Sequence, residues 1–140
     1  MSKRLGDTQK WDRPWFRQLP SKYKLFWLYV LDICAMAGYW YVDFKTASSL
    51  LNEKIEPRLA KKYLGKQISI PTNEKRWKIK DFIHFQYGEF CPTQPVHKAV
   101  LRYAYSQGFT SPWPSLDPSL DPSLDPSLDP RQTDKNINKA

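Results

Sequence analysis

Apolar positions change their period several times along this chain, and each change marks an expected element. From Lys22 to Ala37, Phe26, Trp27, Val30, Leu31 and Cys34 recur at helical spacing. Leu25, Leu28 and Tyr29 widen that stripe almost around the helix, so a central, mostly buried helix is expected. Pro20-Ser21 supplies an entry and N-cap, and Gly38 a stop. Tyr39–Val42 is a short aromatic and β-branched run, the only good strand candidate in the first half. Asp43 then caps a helix from Phe44 to about Leu51.

The segment from Glu56 to Lys80 is the most informative. Pro57 stands where a first helical residue belongs, and Gly65 where a left-handed stop is expected. Between them Arg58, Lys61 and Lys62 fall at i, i+3 and i+4 and share one helical face. Leu59, Ala60, Tyr63 and Leu64 lie mainly on the other side, free to pack. A hairpin follows, Gln67–Ile70 with Trp77–Lys80, in which Ile68, Ile70, Trp77 and Ile79 alternate with polar residues. Lys78 and Lys80 then point away from Trp77 and Ile79, and Asn73, Glu74, Lys75 and Arg76 form the tip.

Asp81 is expected to cap a short helix, Phe82–Tyr87, closed by Gly88. Thr93, Gln94 and Pro95 open a last helix to about Gln107, with Val96, Val100 and Ala104 along one side and Gly108 as its stop. Beyond it the pattern collapses into four Ser-Leu-Asp-Pro repeats, Ser115 to Pro130. Proline every fourth residue denies a helix its hydrogen bonds, and one Leu per repeat cannot build a core. Residues 111–140 are therefore expected to be a disordered tail, and residues 1–20 a basic arm in which Trp15 and Phe16 dock and the first residues do not. The expected folded domain is 21–110. The repeats are expected to be an expansion without a role; the alternative is that a perfect four-residue repeat, most simply encoded by a 12-nucleotide tandem repeat, makes the coding DNA itself a repeated protein-binding site.

Charge sharpens the picture. Residues 1–110 hold 19 Lys/Arg against 9 Asp/Glu, whereas residues 111–140 hold 3 against 5. The basic part is the part expected to fold, as suits a polyanionic partner. No apolar run approaches the roughly 20 residues that span a bilayer, and the N-terminus lacks a signal-peptide core, so no membrane partner and a cytoplasmic location are expected.

Catalytic chemistry finds little support. No Gly-x-x-x-x-Gly-Lys-Ser/Thr cradle is present, because Ala60 stands where the first loop glycine would be before Gly65-Lys66. His84 and His97 are 13 apart and form no His-x-His pair. Asp43-Phe44-Lys45 has an acid-x-Lys spacing, but Asp43 is already assigned as a cap. Cys34 and Cys91 are too few for a metal knuckle, and Cys34 is expected to be a buried, inert thiol. Neither an enzyme nor a cofactor is expected.

The order helix, strand, helix, basic helix, strand, strand is that of a winged helix-turn-helix, an α+β and mainly helical fold with a small β-wing and, here, C-terminal helices. Lys24-Leu25-Phe26-Trp27-Leu28-Tyr29, Ala37-Gly38, Val42-Asp43-Phe44, Trp77, the run Ile79 to Gly88, and His97-Lys98 with Val100 carry a further likeness. Over about residues 10–110 the chain resembles the N-terminal winged-helix domain of phage replication initiators, the replisome-organiser or O-like group related to DnaD-type primosome proteins. The resemblance implies binding to double-stranded origin DNA, nucleoid association in a bacterial host cell, and engagement of a host helicase or helicase loader. The tail is too simple in composition to be the folded loader-binding region of that family.

In a helix-turn-helix the second helix enters the major groove with its early residues nearest the bases. Arg58 is then the candidate for base contact, with Lys61 and Lys62 on bases or phosphates. Lys54 and Lys66 flank the helix as phosphate contacts, and Lys75, Arg76 and Lys78 supply the wing. Two other functions fit the same elements: a primosome-type module that self-associates into a homo-oligomer, and a phage transcriptional regulator.

Overall fold

The computed structural model describes residues 3–70, 75–109 and 111–113. The chain forms two compact units, Met1–Asp81 and Phe82–Ala140. The division falls after the hairpin, inside the single domain expected over 21–110, and the N-terminal arm belongs to the first unit.

The fold is α+β, with helices and a small three-stranded antiparallel sheet. In the first unit a 3-10 turn, Thr8–Asp12, leads into α1 (Pro14–Arg17), α2 (Ser21–Ile33), β1 (Tyr39–Tyr41), α3 (Phe44–Leu51), α4 (Pro57–Leu64), β2 (Ile68–Ser69) and β3 (Arg76–Ile79). The strand order is β1-β3-β2. β3 is central: Tyr39 faces Lys78, Trp40 faces Trp77 and Tyr41 faces Arg76 on one side, and Ile68 faces Ile79 on the other. A backbone bond from Lys80 N–H to the Gln67 carbonyl extends the β2–β3 ladder.

Phe26, Trp40, Phe44 and Trp77 hold the sheet to the helices. All six pairs among them lie within 5.1–6.2 Å between ring centroids, and five of the six are steeply inclined. Inclined aromatic pairs place ring edges on ring faces and add roughly 0.5–1.5 kcal/mol each beyond area burial. Trp40 and Trp77 are register partners, so the ladder itself delivers both indoles to one side of the sheet. Trp15 and Phe16 dock as expected: Phe16 is fully buried and Trp15 meets Trp27 edge-on.

Several local expectations are corrected. α2 ends at Ile33 rather than Ala37, and no Ser21 side chain caps it; the Pro20 carbonyl accepts from Tyr23 and Lys24 instead. Gly38 does not stop that helix. It closes a tight turn, with φ 82 and its N–H on the Ala35 carbonyl, that reverses the chain into β1. α2 buries one face, Tyr23, Phe26, Trp27 and Val30, and leaves Leu25 and Ile33 exposed, so it is less central than its composition suggested. Gly65 is right-handed, at φ −58 and ψ −27. Glycine is needed there for space, because a Cβ would stand 2.7 Å from the Lys61 carbonyl oxygen. Arg4, expected to lie free in the arm, does dock: its guanidinium donates to the Cys34 sulfur at 2.8 Å and to the Cys34 carbonyl. The Asp43 cap stands, its carboxylate accepting the Thr46 N–H at 2.9 Å, and the Thr46 bonds hold that carboxyl below its ordinary range.

The second unit contains α5 (Phe82–Tyr87) and α6 (Pro95–Ser106). Asp81 is left-handed, at φ 60, which is not the extended geometry of an N-cap. α6 ends in a Schellman arrangement: left-handed Gly108 donates to the Tyr105 carbonyl and Phe109 to that of Ala104. Val96 is exposed, and His97 takes the buried place beside Val100, Leu101 and Ala104. The tail expectation is corrected at its start. Trp113 is 2% exposed, its indole N–H donates to the Gly88 carbonyl, and its ring lies 5.2 Å from both Phe90 and His97. Residues 114–140, which contain the repeats, lie outside the described residues, as do Asn73 and Glu74 of the hairpin tip.

Candidate nucleic-acid interface

α4 carries the candidate face, and its placement follows from its apolar side. Ala60 and Leu64 are fully buried, and α4 packs against α2, where the Tyr63 ring lies 5.1 Å from that of Tyr23. The preceding turn is fixed by three bonds: Glu53 N–H to the Ser48 carbonyl, Ile55 N–H to the Ser48 hydroxyl at 3.0 Å, and Glu56 N–H to the Tyr23 hydroxyl at 3.3 Å. Left-handed Asn52, φ 54, ends α3, and buried Ile55 plugs the turn. α3 and α4 thus enter as a pair with one orientation between them.

With Ala60 and Leu64 inward, Arg58 and Lys62 are exposed and Lys61 is half-buried. Lys54 and Lys66 are exposed at the two ends of the helix. Between Lys54 and Lys66 five cations stand against one acid, Glu56. Lys62 lies 5.9 Å from the Tyr63 ring centroid. Lys61 and Lys62 also sit in the last turn, where a cation is favoured by the helix dipole.

The wing cations are arranged differently from expectation. Arg76 is not at a hairpin tip: it lies within β3, opposite Tyr41 of β1, and the Lys75 carbonyl accepts the Val42 N–H at 2.9 Å. The N-terminal end of β3 is therefore paired with β1. Arg76 and Lys78 project from the sheet face opposite Trp77 and Ile79, each within 5.9 Å of a tyrosine ring, Tyr41 and Tyr39 respectively. Lys75 is exposed at the head of β3. The eight candidate cations thus divide between α4 with its flanks (Lys54, Arg58, Lys61, Lys62, Lys66), the outer face of the sheet (Arg76, Lys78) and the head of β3 (Lys75). The cross-strand tyrosines were missed from sequence, although the alternation Tyr39-Trp40-Tyr41 already put both on one face.

The two histidines take no shared role. His84 is exposed, 3.7 Å from the Glu89 carboxylate, and does not pack within its helix. His97 is buried, and its Nδ1 accepts the Cys91 N–H at 2.9 Å, which leaves Nε2 to carry the ring proton. Among the described residues no group of three or more His, Cys, Asp or Glu is placed to hold a metal ion, and no helix is long and apolar enough to cross a membrane. Comparison with protein-family models, curated proteins and solved structures found no match.

Proposed function

We propose that this protein is a replication-initiation module of phage type that binds double-stranded origin DNA through α4, read as the recognition helix of a winged helix-turn-helix. The element order α2-β1-α3-α4-β2-β3 with strand order β1-β3-β2 supports that fold assignment. One observation carries the functional reading: the exposed side of α4 is cationic and free of acids along the whole helix, while its other side is locked to α2. A rigid basic helix of this kind matches the phosphate-lined major groove. Arg58, in the first turn, is the residue for a bidentate pair on a guanine edge, worth roughly 1–3 kcal/mol of discrimination. Lys61, Lys62, Lys54 and Lys66 serve phosphates, and Lys75 adds a contact from the sheet.

The test is duplex affinity of Arg58→Glu, Lys61→Glu and Lys62→Glu. Each is expected to weaken binding with little effect on the melting temperature, since these side chains lie outside the core. Unchanged affinity in all three removes α4 as the DNA face. A footprint on the protein's own gene and flanking DNA separates an origin-binding role, with protection of repeats, from a promoter-binding regulator.

A second reading, a self-associating primosome-type module, is favoured by Leu25 and Ile33. They are eight apart on one face of α2 and 44% and 48% exposed. Strand addition is the weaker route to self-association, because edge strands β1 and β2 have only three and two residues. Concentration-dependent sedimentation with loss on Leu25→Asp, together with no duplex binding, would favour this reading.

A further inference from the structure

The outer face of the sheet combines two properties that duplex recognition does not require. Its residues are Tyr39 and Tyr41 from β1, Arg76 and Lys78 from β3, and Ser69 from β2. No acid occurs in any of the three strands. The register sets each tyrosine directly across from a cation, Tyr41 against Arg76 and Tyr39 against Lys78, both at 5.9 Å. Tyr39 is nearly covered, at 6%, but Tyr41, at the end of edge strand β1, is 51% exposed and presents its ring to solvent.

We propose that this face is a second nucleic-acid surface that takes single-stranded DNA, with a base stacked on Tyr41 and the adjoining phosphates held by Arg76 and Lys78. An aromatic ring can meet the flat face of a base only where the base is unstacked, so Tyr41 selects single strands over duplex. Pleated sheets suit this task because alternate residues present rings and cations on one side at a fixed pitch. The absence of acids on the strands and the two in-register cations give the charge complementarity that a strand of phosphates needs. The contact is sequence-tolerant, since every base has a π-face. This surface is built on β1 and β3 rather than on α4, and its test is independent of the duplex test.

The experiment uses the full chain, a labelled oligo-dT strand and a labelled duplex, followed by fluorescence anisotropy at one salt concentration. Tyr41→Ala is expected to weaken oligo-dT binding about tenfold, while Tyr41→Phe, which keeps the ring, binds like the parent chain. Duplex affinity and melting temperature are expected to be unchanged in both. Arg58→Glu is expected to do the reverse, losing duplex and keeping oligo-dT. Failure of the parent chain to bind oligo-dT, or equal binding by Tyr41→Ala, overturns the proposal. Loss of both ligands in Tyr41→Ala at unchanged melting temperature also overturns it, because the two faces would then be one site.

Discussion

The Tyr23 hydroxyl, on the second helix, accepts the backbone N–H of Glu56, the residue that caps the fourth helix, at 3.3 Å. A residue 33 positions earlier thus holds the entry of the helix that carries the cationic face. The same Tyr23 ring lies against Tyr63 one helical length further on, so a single side chain contacts both ends of α4. Tyr23→Phe separates the two roles, keeping the ring and deleting the acceptor. The expected loss is about 0.5–1.5 kcal/mol, read as a lower denaturation midpoint at unchanged slope. No shift at all would mean that water replaces the hydroxyl without cost.

Gly65→Ala tests a different constraint. The added methyl would stand 2.7 Å from the Lys61 carbonyl oxygen, a backbone atom that cannot swing aside. A loss of about 1–3 kcal/mol is expected. At Gly108 the obstacle is conformational: space around it is open, but φ is 78. Gly108→Ala should cost about 1–2 kcal/mol. Asn at that position should recover part of this loss, since Asn tolerates left-handed backbone. Asn at Gly65 should recover nothing, and thermal melts of the four variants distinguish the two causes.

Trp77→Ala removes the indole shared by every ring of the central cluster. A loss of about 3–5 kcal/mol is expected, with collapse of the near-ultraviolet circular dichroism of the coupled tryptophans. A small change in both measurements would show that the rings around Trp77 repack into its space.

The two thiols should differ sharply toward alkylating reagents. Burial pushes the Cys34 thiol up to about 11, with Arg4 pulling weakly the other way, so at neutral pH it stays protonated and shielded. Bonds from the Thr93 hydroxyl and backbone draw the Cys91 thiol below the ordinary range. A lowered value means more thiolate than an ordinary thiol has at the same pH, so Cys91 should react first. Mass spectrometry should find one fast site, Cys91, and Cys34 labelled only on unfolding. Comparable rates at both sites would contradict the burial of Cys34.

Duplex binding, if carried by α4 and its flanks, should be steeply salt-dependent. About six phosphate contacts give a log–log slope of about −5. Charge removal at Lys54 or Lys66 should flatten the slope by about one unit each while leaving sequence preference alone. Arg58→Ala should instead relax preference at one base pair with less change in slope.

Much of this molecule follows from local chemistry. Pro57 at a helix start, Asp43 before Phe44, and the alternation around Trp77 and Ile79 specify elements within a residue or two, because each depends on neighbours close in the chain. The basic face of α4 was legible for the same reason: Arg58, Lys61 and Lys62 share a side by helical geometry alone.

Other features required distant residues to meet. Gly65 looked like a left-handed stop because sequence signals a glycine without saying whether torsion or space demands it; only the approach of the Lys61 carbonyl decided for space. The α2 stripe looked central and mostly buried because composition does not state how many neighbours arrive, and too few arrive to cover Leu25 and Ile33. Arg76 looked like a hairpin tip because the pairing of β3 with β1 joins segments about 35 residues apart, as the Tyr41–Arg76 register shows. That long-range pairing, invisible to any local pattern, placed the sheet cations beside tyrosines. Trp113, likewise, read as tail until the Gly88 carbonyl and the His97 ring gave its indole a partner and a wall. Short-range spacing thus settled which residues share an element, and tertiary contact settled which surfaces those elements leave exposed, because burial is a property of neighbours that the chain brings in from afar.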